Sequence, residues 1–490
     1  MERSSGVLMH ISSLPNRFGI GSLGKEAYAY VDFLARAGQR YWQLLPMGPT
    51  GYGDSPYQLF SASAGNPYFI DLDLLLAAGL LTEEEARPHL TGPGPVDYGR
   101  LYAQRFGLLR LAFARGRGRD LEAQAAFARE HAGWLEDYAL FMALKAHFNM
   151  VAYTGWPEAV RLREAGAVAN YRDRLAEDAA FYAYLQYLFF QQWNSLKAYA
   201  ASKGLKLIGD LPIYVSMDSA DVWARPEVFQ LQADRRPAWV SGVPPDYFSA
   251  DGQLWGNPLY DWDALKRTGY GWWLERIKSS VRLFDVLRID HFRGLESYWR
   301  VPAGETTARN GAWVRGPGMD FIQAVRGAFP GLAVIAEDLG YLTPAVRKLV
   351  ADSGYPGMKV LQFAFDSREP SDYLPHNYSP HCVCYTGTHD NTTALGWFAE
   401  ADGADVALAR KYLGLNAQEG LAWGMVRGGM SSVANLFVAQ MQDYLGLPSA
   451  ARMNIPGTTA GNWRWRMLPG AASPALADKI ARYTRLYGRC

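Results

Sequence analysis

Short apolar runs recur along the chain, and most stop at a carboxylate or at a turn rich in glycine and proline. Residues 6–14 and 41–46 read as the first two strands, with a helix between them near 26–37. Strand, helix and strand at this spacing predict a βαβ unit. From 71 to 204 the apolar period becomes helical, over 101–114, 134–148 and 181–200, and no strand is predicted. A βα crossover needs far fewer residues, so 71–204 is expected to be a helical insertion between strands 2 and 3. The aromatic group Phe181, Tyr182, Tyr184, Tyr187, Phe189, Phe190 and Trp193 is assigned to that insertion's core. Strand pattern resumes at 206–211 and again after Val286, Ala333, Met358 and Val383, with a last strand placed at 451–457. Eight such strands alternating with helices predict an α/β chain folded as one (β/α)8 TIM barrel over residues 1–490. The segment 216–268 is expected to be a loop-rich insertion. Its centre, 242–258, holds Pro244-Pro245, several glycines and Trp255. A long irregular segment of this kind in a compact domain is more often functional than incidental, and it is read as a lid over a cleft.

What gives the strand pattern chemical meaning is where four of the runs end. Val286-Leu287-Arg288-Ile289 stops at Asp290, Ala333–Ala336 at Glu337, 382–386 at Gly387-Thr388-His389-Asp390, and Leu207-Ile208-Gly209 at Asp210. In a parallel barrel all strand C-termini open on one face, so these acids are expected to converge there. Arg288 and Arg293 flank Asp290, and nearby positive charge favours the carboxylate form, so Asp290 is expected to be ionised. An ionised Asp at a strand end serves as a nucleophile, a metal ligand or an ion-pair partner.

Composition narrows the field. A net charge of +1 gives no footprint for a polyanion, so nucleic acid is not an expected partner. The N-terminal residues lack the basic-then-apolar pattern of a signal peptide, and no apolar run reaches the roughly 18 residues of a membrane span. Cys382 and Cys384 share one strand at i, i+2 spacing, too close in sequence for an ordinary disulfide, and are read as small buried hydrophobes in a reducing cytoplasm; Cys490 is the third cysteine. Aromatic residues make up 14% of the chain, with 16 Trp and 29 Tyr. Flat apolar faces with one polar handle suit sugar rings. A large aromatic core explains the same count equally well, so position has to decide. Tyr57, on the Gly- and Pro-rich loop 48–58, is read either as a ring-stacking platform or as a plug in the barrel mouth.

Metal and cofactor readings fare poorly. Arg288 and Arg293 oppose a divalent cation beside Asp290, and zinc-ligand spacings are absent. Gly19-Ile20-Gly21-Ser22-Leu23-Gly24 matches a dinucleotide fingerprint in letters alone, because Pro15-Asn16 breaks the strand before it and no later acid fits the ribose role. Neither a metal nor a cofactor is expected. Paired carboxylates are what glycosyl transfer uses: one attacks the anomeric carbon while the other, protonated, donates to the leaving oxygen. Glu337, after a strongly apolar strand, fits the acid, and Asp290 the nucleophile. Asp390, beside His389, fits a role on the ring hydroxyls and the developing positive charge. Asp338 is read as structural, and His376 and His381 are given no catalytic part.

The blocks Arg-Ile-Asp-His-Phe-Arg-Gly, Ala-Glu-Asp-Leu-Gly, Thr-Gly-Thr-His-Asp-Asn-Thr-Thr and Asp-Tyr-Leu-Gly-Leu resemble those of the 4-α-glucanotransferases (amylomaltases, or disproportionating enzymes) of glycoside hydrolase family 77. Arg-Met-Asn-Ile-Pro-Gly-Thr, Gly-Asn-Trp-Arg-Trp-Arg, the opening Gly-Val-Leu-Met-His-Ile-Ser-Ser-Leu-Pro and the Gly-Asp-Ser-Pro-Tyr-Gln loop do so too. The resemblance implies retaining transfer of α-1,4-glucan segments to a 4-hydroxyl, with Asp290 as nucleophile, Glu337 as general acid/base and Asp390 as transition-state stabiliser. It also implies that Tyr57, Asp210, Arg288 and His389 line the subsite of the transferred glucosyl unit. Ser55, Gln253, Trp255 and Asn462 are then expected further along the glucan. A hydrolase of the same mechanism and a non-catalytic glucan binder are the competing classes. The oligomeric state stays open.

Overall fold

The computed structural model describes residues 2–245, 249–340 and 342–490. The strands are β1 (Ser4–Leu8), β2 (Tyr41–Gln43), β3 (Lys206–Leu211), β4 (Trp239–Val243), β5 (Gln253–Pro258) and β6 (Val286–Ile289). They continue with β7 (Ser297–Pro302), β8 (Ala312–Arg315), β9 (Ala333–Ala336), β10 (Gly357–Val360), β11 (Cys382–Tyr385) and β12 (Leu436–Gln440). Eight of them form a parallel sheet in the order β10-β11-β12-β1-β2-β3-β6-β9, and the strands of this sheet are buried along most of their length, as expected where helices cover the outer face. The sheet curls until its outer strands meet, giving a (β/α)8 barrel. The seam is held lightly. The Ala336 amide donates to the Pro356 carbonyl at 3.0 Å and the Met358 amide to the Asp338 carboxylate at 2.7 Å. A Cβ on Gly357 would sit 2.4 Å from that carboxylate, so only glycine lets β10 come this close. Asp338 thus has the structural place assigned to it.

One strand lies elsewhere than expected. The eighth is β12, not 451–457, where Ser449–Ala451 forms a 3-10 turn and the next residues are irregular. The run Leu-Phe-Val-Ala-Gln passes directly into the helix Met441–Tyr444 with no turn residue between, so its pattern does not separate strand from helix. At 452–454 the alternation of Arg, Met and Asn imitates a strand, but both polar side chains turn onto the loop after β11. β1 and β10 end earlier than their apolar runs, which continue as the turns Ile11–Ser13 and Leu361–Phe363.

The segment 216–268 is more regular than its composition predicts. It holds β4 and β5, which join β7 and β8 in an antiparallel sheet of order β5-β4-β7-β8. Glycine, which weakens a strand reading, is required here: a Cβ on Gly242 would lie 2.5 Å from the Gln253 carbonyl oxygen, and Gly252 turns at φ +67°. Of the expected lid centre, Asp246, Tyr247 and Phe248 lie outside the described residues.

Between β2 and β3 the described elements are helical, and the longest is Ala176–Ser202. Its Phe181, Phe189 and Trp193 are wholly buried, as core assignment requires. Two buried glutamines tie it to the chain leaving β2. Gln186 exchanges two bonds with the backbone of Gly65 (2.7 and 2.9 Å), and Gln192 accepts from the Asp71 amide at 2.7 Å. Gly24 caps the helix Lys25–Arg36, and a Cβ there would meet the Asp71 carboxylate at 2.1 Å. Gly21 likewise lies where a Cβ would meet the Ile11 carbonyl at 1.8 Å, so these two glycines serve close packing.

Candidate active site

β6 and β9 are neighbours with Ile289 opposite Ala336, so the next residues, Asp290 and Glu337, emerge side by side. Adjacent strands place the two backbones about 4.8 Å apart. The ladder continues through them: the Glu337 amide donates to the Ile289 carbonyl and the Phe292 amide to the Glu337 carbonyl, both at 3.0 Å. The Asp290 amide donates across to Leu211 of β3, also at 3.0 Å. The Glu337 carboxylate accepts from the His291 amide at 2.6 Å and the Leu339 amide at 3.0 Å. His291 can offer that amide because its backbone is left-handed, at φ +50°, an uncommon state for a residue with a side chain. Its ring meets Trp255 edge to face at 4.8 Å.

Arg288 and Asp210 are cross-strand partners on β6 and β3. The guanidinium donates to both Asp210 oxygens at 2.6 Å and to Asp290 at 3.2 Å, and it is almost wholly buried. The guanidinium thus bridges two carboxylates that would otherwise repel each other. Arg293, expected to flank Asp290 as well, lies instead over the Trp313 ring at 4.1 Å. The cationic surroundings expected of Asp290 thus reduce to Arg288. Burial pushes Asp290 well above the ordinary carboxylate range. Arg288 opposes this, but the charges of Asp210, Glu337 and Asp390 add to it. Burial also raises Glu337 against Arg288 and the two amides. Two such groups titrate as a pair, so a proton residing on one leaves the other free to ionise.

Across the mouth, the Tyr57 hydroxyl donates to Asp210 at 2.5 Å, and its ring stacks on His389 with centroids 5.0 Å apart. Trp463 completes the aromatic patch, 5.9 Å from Tyr57 and 5.8 Å from His389. Burial lowers the His389 pKa, so the ring is neutral near pH 7. Its Nε2 lies 3.4 Å from Asp390. Asp390 is held from a third segment. Asn454 donates to its carboxylate at 2.6 Å, Arg452 donates to its carbonyl at 2.5 Å, and the Asn454 amide binds the His389 carbonyl at 3.1 Å. Carboxylates, a buried cation and a flat aromatic patch at one barrel mouth suit a sugar ring and a charge forming at its anomeric centre.

The profile of the family described as 4-alpha-glucanotransferase, glycoside hydrolase 77, matches residues 9–471. The chain is 49% identical over 487 residues to the 4-alpha-glucanotransferase of Clostridium butyricum, covering 98% of this chain and 100% of that protein. The chain belongs to this family. The 4-alpha-glucanotransferase of Thermus thermophilus is likewise 49% identical, with 98% of each chain covered. An amylomaltase from Streptococcus agalactiae, solved in complex with acarbose, superposes with a TM-score of 0.97 at 41% identity over the whole of both chains.

Of the residues expected in a glucanotransferase site, Asp290, Glu337, Arg288, Asp210, Tyr57, His389 and Asp390 fall into one connected group. Trp255 reaches it through His291, and Gln253 accepts from the Trp255 indole at 3.2 Å. Ser55 accepts from the Tyr57 amide at 3.2 Å and so shapes the turn that presents that ring. The Asn462 amide is engaged within its own loop, by the Ile455 amide and by Thr458. Sequence reasoning missed Asn454, Arg452 and Trp463 as members of the group. Two polar side chains two residues apart, just before Pro456-Gly457, were the signal for the first pair. The strand reading of 451–457 hid it.

Proposed function

We propose that the chain transfers α-1,4-glucan segments by a retaining double displacement at Asp290 and Glu337. Glu337, protonated, donates to the glycosidic oxygen while the Asp290 carboxylate attacks the anomeric carbon, giving a β-linked glycosyl–Asp290 intermediate and a shortened glucan. Glu337, now a carboxylate, takes the proton from the 4-hydroxyl of a second glucan as that oxygen displaces Asp290, and the α-linkage is restored. Asp390 stabilises the oxocarbenium-like transition state. Arg288 keeps Asp210 and Asp290 in register, and Tyr57 and His389 carry the transferred ring. Ser55, Gln253, Trp255 and Asn462 belong to the outer subsites, the last through the loop it shapes. We assign 71–204 as a helical inserted subdomain and 216–268 as the covering segment that favours sugar over water as acceptor.

The observation that carries this reading is the β6–β9 register, which delivers the two acids at one level and one strand apart. That the streptococcal amylomaltase was solved in complex with acarbose supports a glucan-like ligand for this chain. Among the described residues no helix is long and apolar enough to cross a membrane, and the three cysteines are unpaired, in keeping with a cytoplasmic enzyme. Incubation with maltotriose tests the activity. The expected product is a ladder of longer maltodextrins with glucose; steady release of glucose and maltose without lengthening identifies a hydrolase instead.

A further inference from the structure

The block Gln442-Asp443-Tyr444-Leu445-Gly446-Leu447 stands out in the sequence, yet no step above uses it. It begins one residue beyond β12, in the short helix Met441–Tyr444. Asp443 is wholly buried. One carboxylate oxygen accepts from the Thr386 hydroxyl, the other from the Ala394 amide at 2.6 Å. Thr386 is where the chain leaves β11, and Ala394 opens the helix Ala394–Glu400. Asp443 therefore grips both ends of the loop bearing the stabilising acid, and at Ala394 it satisfies a helix-start amide that water does not reach.

Its neighbours extend the grip. Gln440 and Gln362 both donate to the Thr392 carbonyl, at 3.3 and 2.8 Å. These two amides leave no room for a side chain at residue 387: a Cβ on Gly387 would lie 2.9 Å from Gln440 and 2.6 Å from Gln362. Gln442 donates to the Ala451 carbonyl at 3.1 Å, anchoring the segment from which Arg452 and Asn454 hold Asp390. One short stretch after β12 thus ties down both segments that fix a single carboxylate.

We propose that Asp443 is a positioning residue for catalysis, setting the place of Asp390 by clamping the two ends of the 386–394 loop. The inference rests on the assignment of Asp390 as transition-state stabiliser. A charge-stabilising acid matters chiefly in the transition state, so its displacement lowers kcat more than it raises KM. A shift of about 1 Å at a reacting centre costs on the order of 100-fold in rate.

The test is a double-mutant cycle on the full-length enzyme, read as kcat and KM for maltotriose transfer. Asp443→Ala is expected to lose roughly 100-fold in kcat with KM nearly unchanged. Asp443→Asn, which can still meet both partners, is expected to stay within about fivefold of wild type. In an Asp390→Asn background Asp443→Ala is expected to add little, because the group it positions is already lost. Full additivity, or a kcat of Asp443→Ala near that of wild type, overturns the proposal. If Asp443→Ala does not fold, Thr386→Val replaces it in the cycle and the same non-additivity is required. An Asp390→Asn enzyme that keeps its activity overturns instead the assignment of Asp390, so the two failures are told apart.

Discussion

Asp290 and Glu337 leave β6 and β9 one residue after those strands end, whereas Asp390 lies five residues beyond the end of β11. The backbones of the first two are aligned by main-chain bonds: the Ile289–Ala336 register, the Glu337 amide on Ile289, the Phe292 amide on the Glu337 carbonyl and the Asp290 amide on Leu211. The third is aligned by side chains, from Asn454, Arg452, Gln440, Gln362 and Asp443. Main-chain bonds survive almost any substitution. A side-chain scaffold can be dismantled one group at a time. Asp290 and Glu337, the proposed nucleophile and acid/base, are thus built into the barrel, whereas Asp390, the proposed stabiliser, is adjusted by side chains from other segments.

The contrast can be broken at its hardest point first. Asp290→Asn and Glu337→Gln are expected to lose on the order of 10⁴-fold in transfer from maltotriose while unfolding near the wild-type temperature, since the strand bonds do not involve these side-chain identities. Burial raises the Glu337 pKa above 4.5, and the acid is active when protonated. The rate therefore falls as pH rises through that higher value, and the alkaline limb of kcat/KM is expected to vanish in Glu337→Gln. An unchanged limb removes Glu337 from the acid role. Asn454→Ala comes next, with a loss of about 10 to 100-fold carried by kcat, because Asp390 loses a 2.6 Å donor. Tyr57→Phe keeps the ring and removes only the hydroxyl on Asp210, so a loss of about fivefold is expected, and Tyr57→Ala should exceed it clearly.

How much of this was legible in the sequence follows the same division. Apolar runs ending in acid announce strand ends directly, so Asp210, Asp290 and Glu337 could be placed without coordinates. Seven barrel strands were visible from their apolar runs, four of which end in acid. β12 was not, because its run enters a helix with no punctuation, and the antiparallel sheet was not, because the glycines its close strand contacts demand read as loop. The segments holding Asp390 are brought together only by tertiary packing. Arg452 and Asn454 lie more than 60 positions from it, and no local pattern records that contact. The pairing of Arg288 with Asp290 was read correctly from sequence neighbourhood; Arg293 was misread by the same reasoning, because the turn after Asp290 swings it onto Trp313.

A separate expectation concerns stability rather than rate. Burial, against the Ala394 amide and the Thr386 hydroxyl, raises the Asp443 pKa from 3.8 to about 6. Between those values the folded protein binds the extra proton, so this residue's contribution to stability is present at the acid end and is lost as pH rises through about 6. The difference is worth about 3 kcal/mol. Denaturant midpoints measured across that window should fall with rising pH in the wild type and change less in Asp443→Asn.

The central claim is that Asp290 becomes covalently glycosylated while Glu337 moves the proton. A donor whose leaving group needs no protonation, such as α-maltosyl fluoride, allows the first step in Glu337→Gln, while the second step lacks its base. Peptide mass spectrometry of that variant after brief exposure is predicted to show a maltosyl adduct on the peptide containing Asp290. An adduct on Asp390, Asp210 or another carboxylate, or active Glu337→Gln enzyme that turns the fluoride over with no adduct at all, would contradict it.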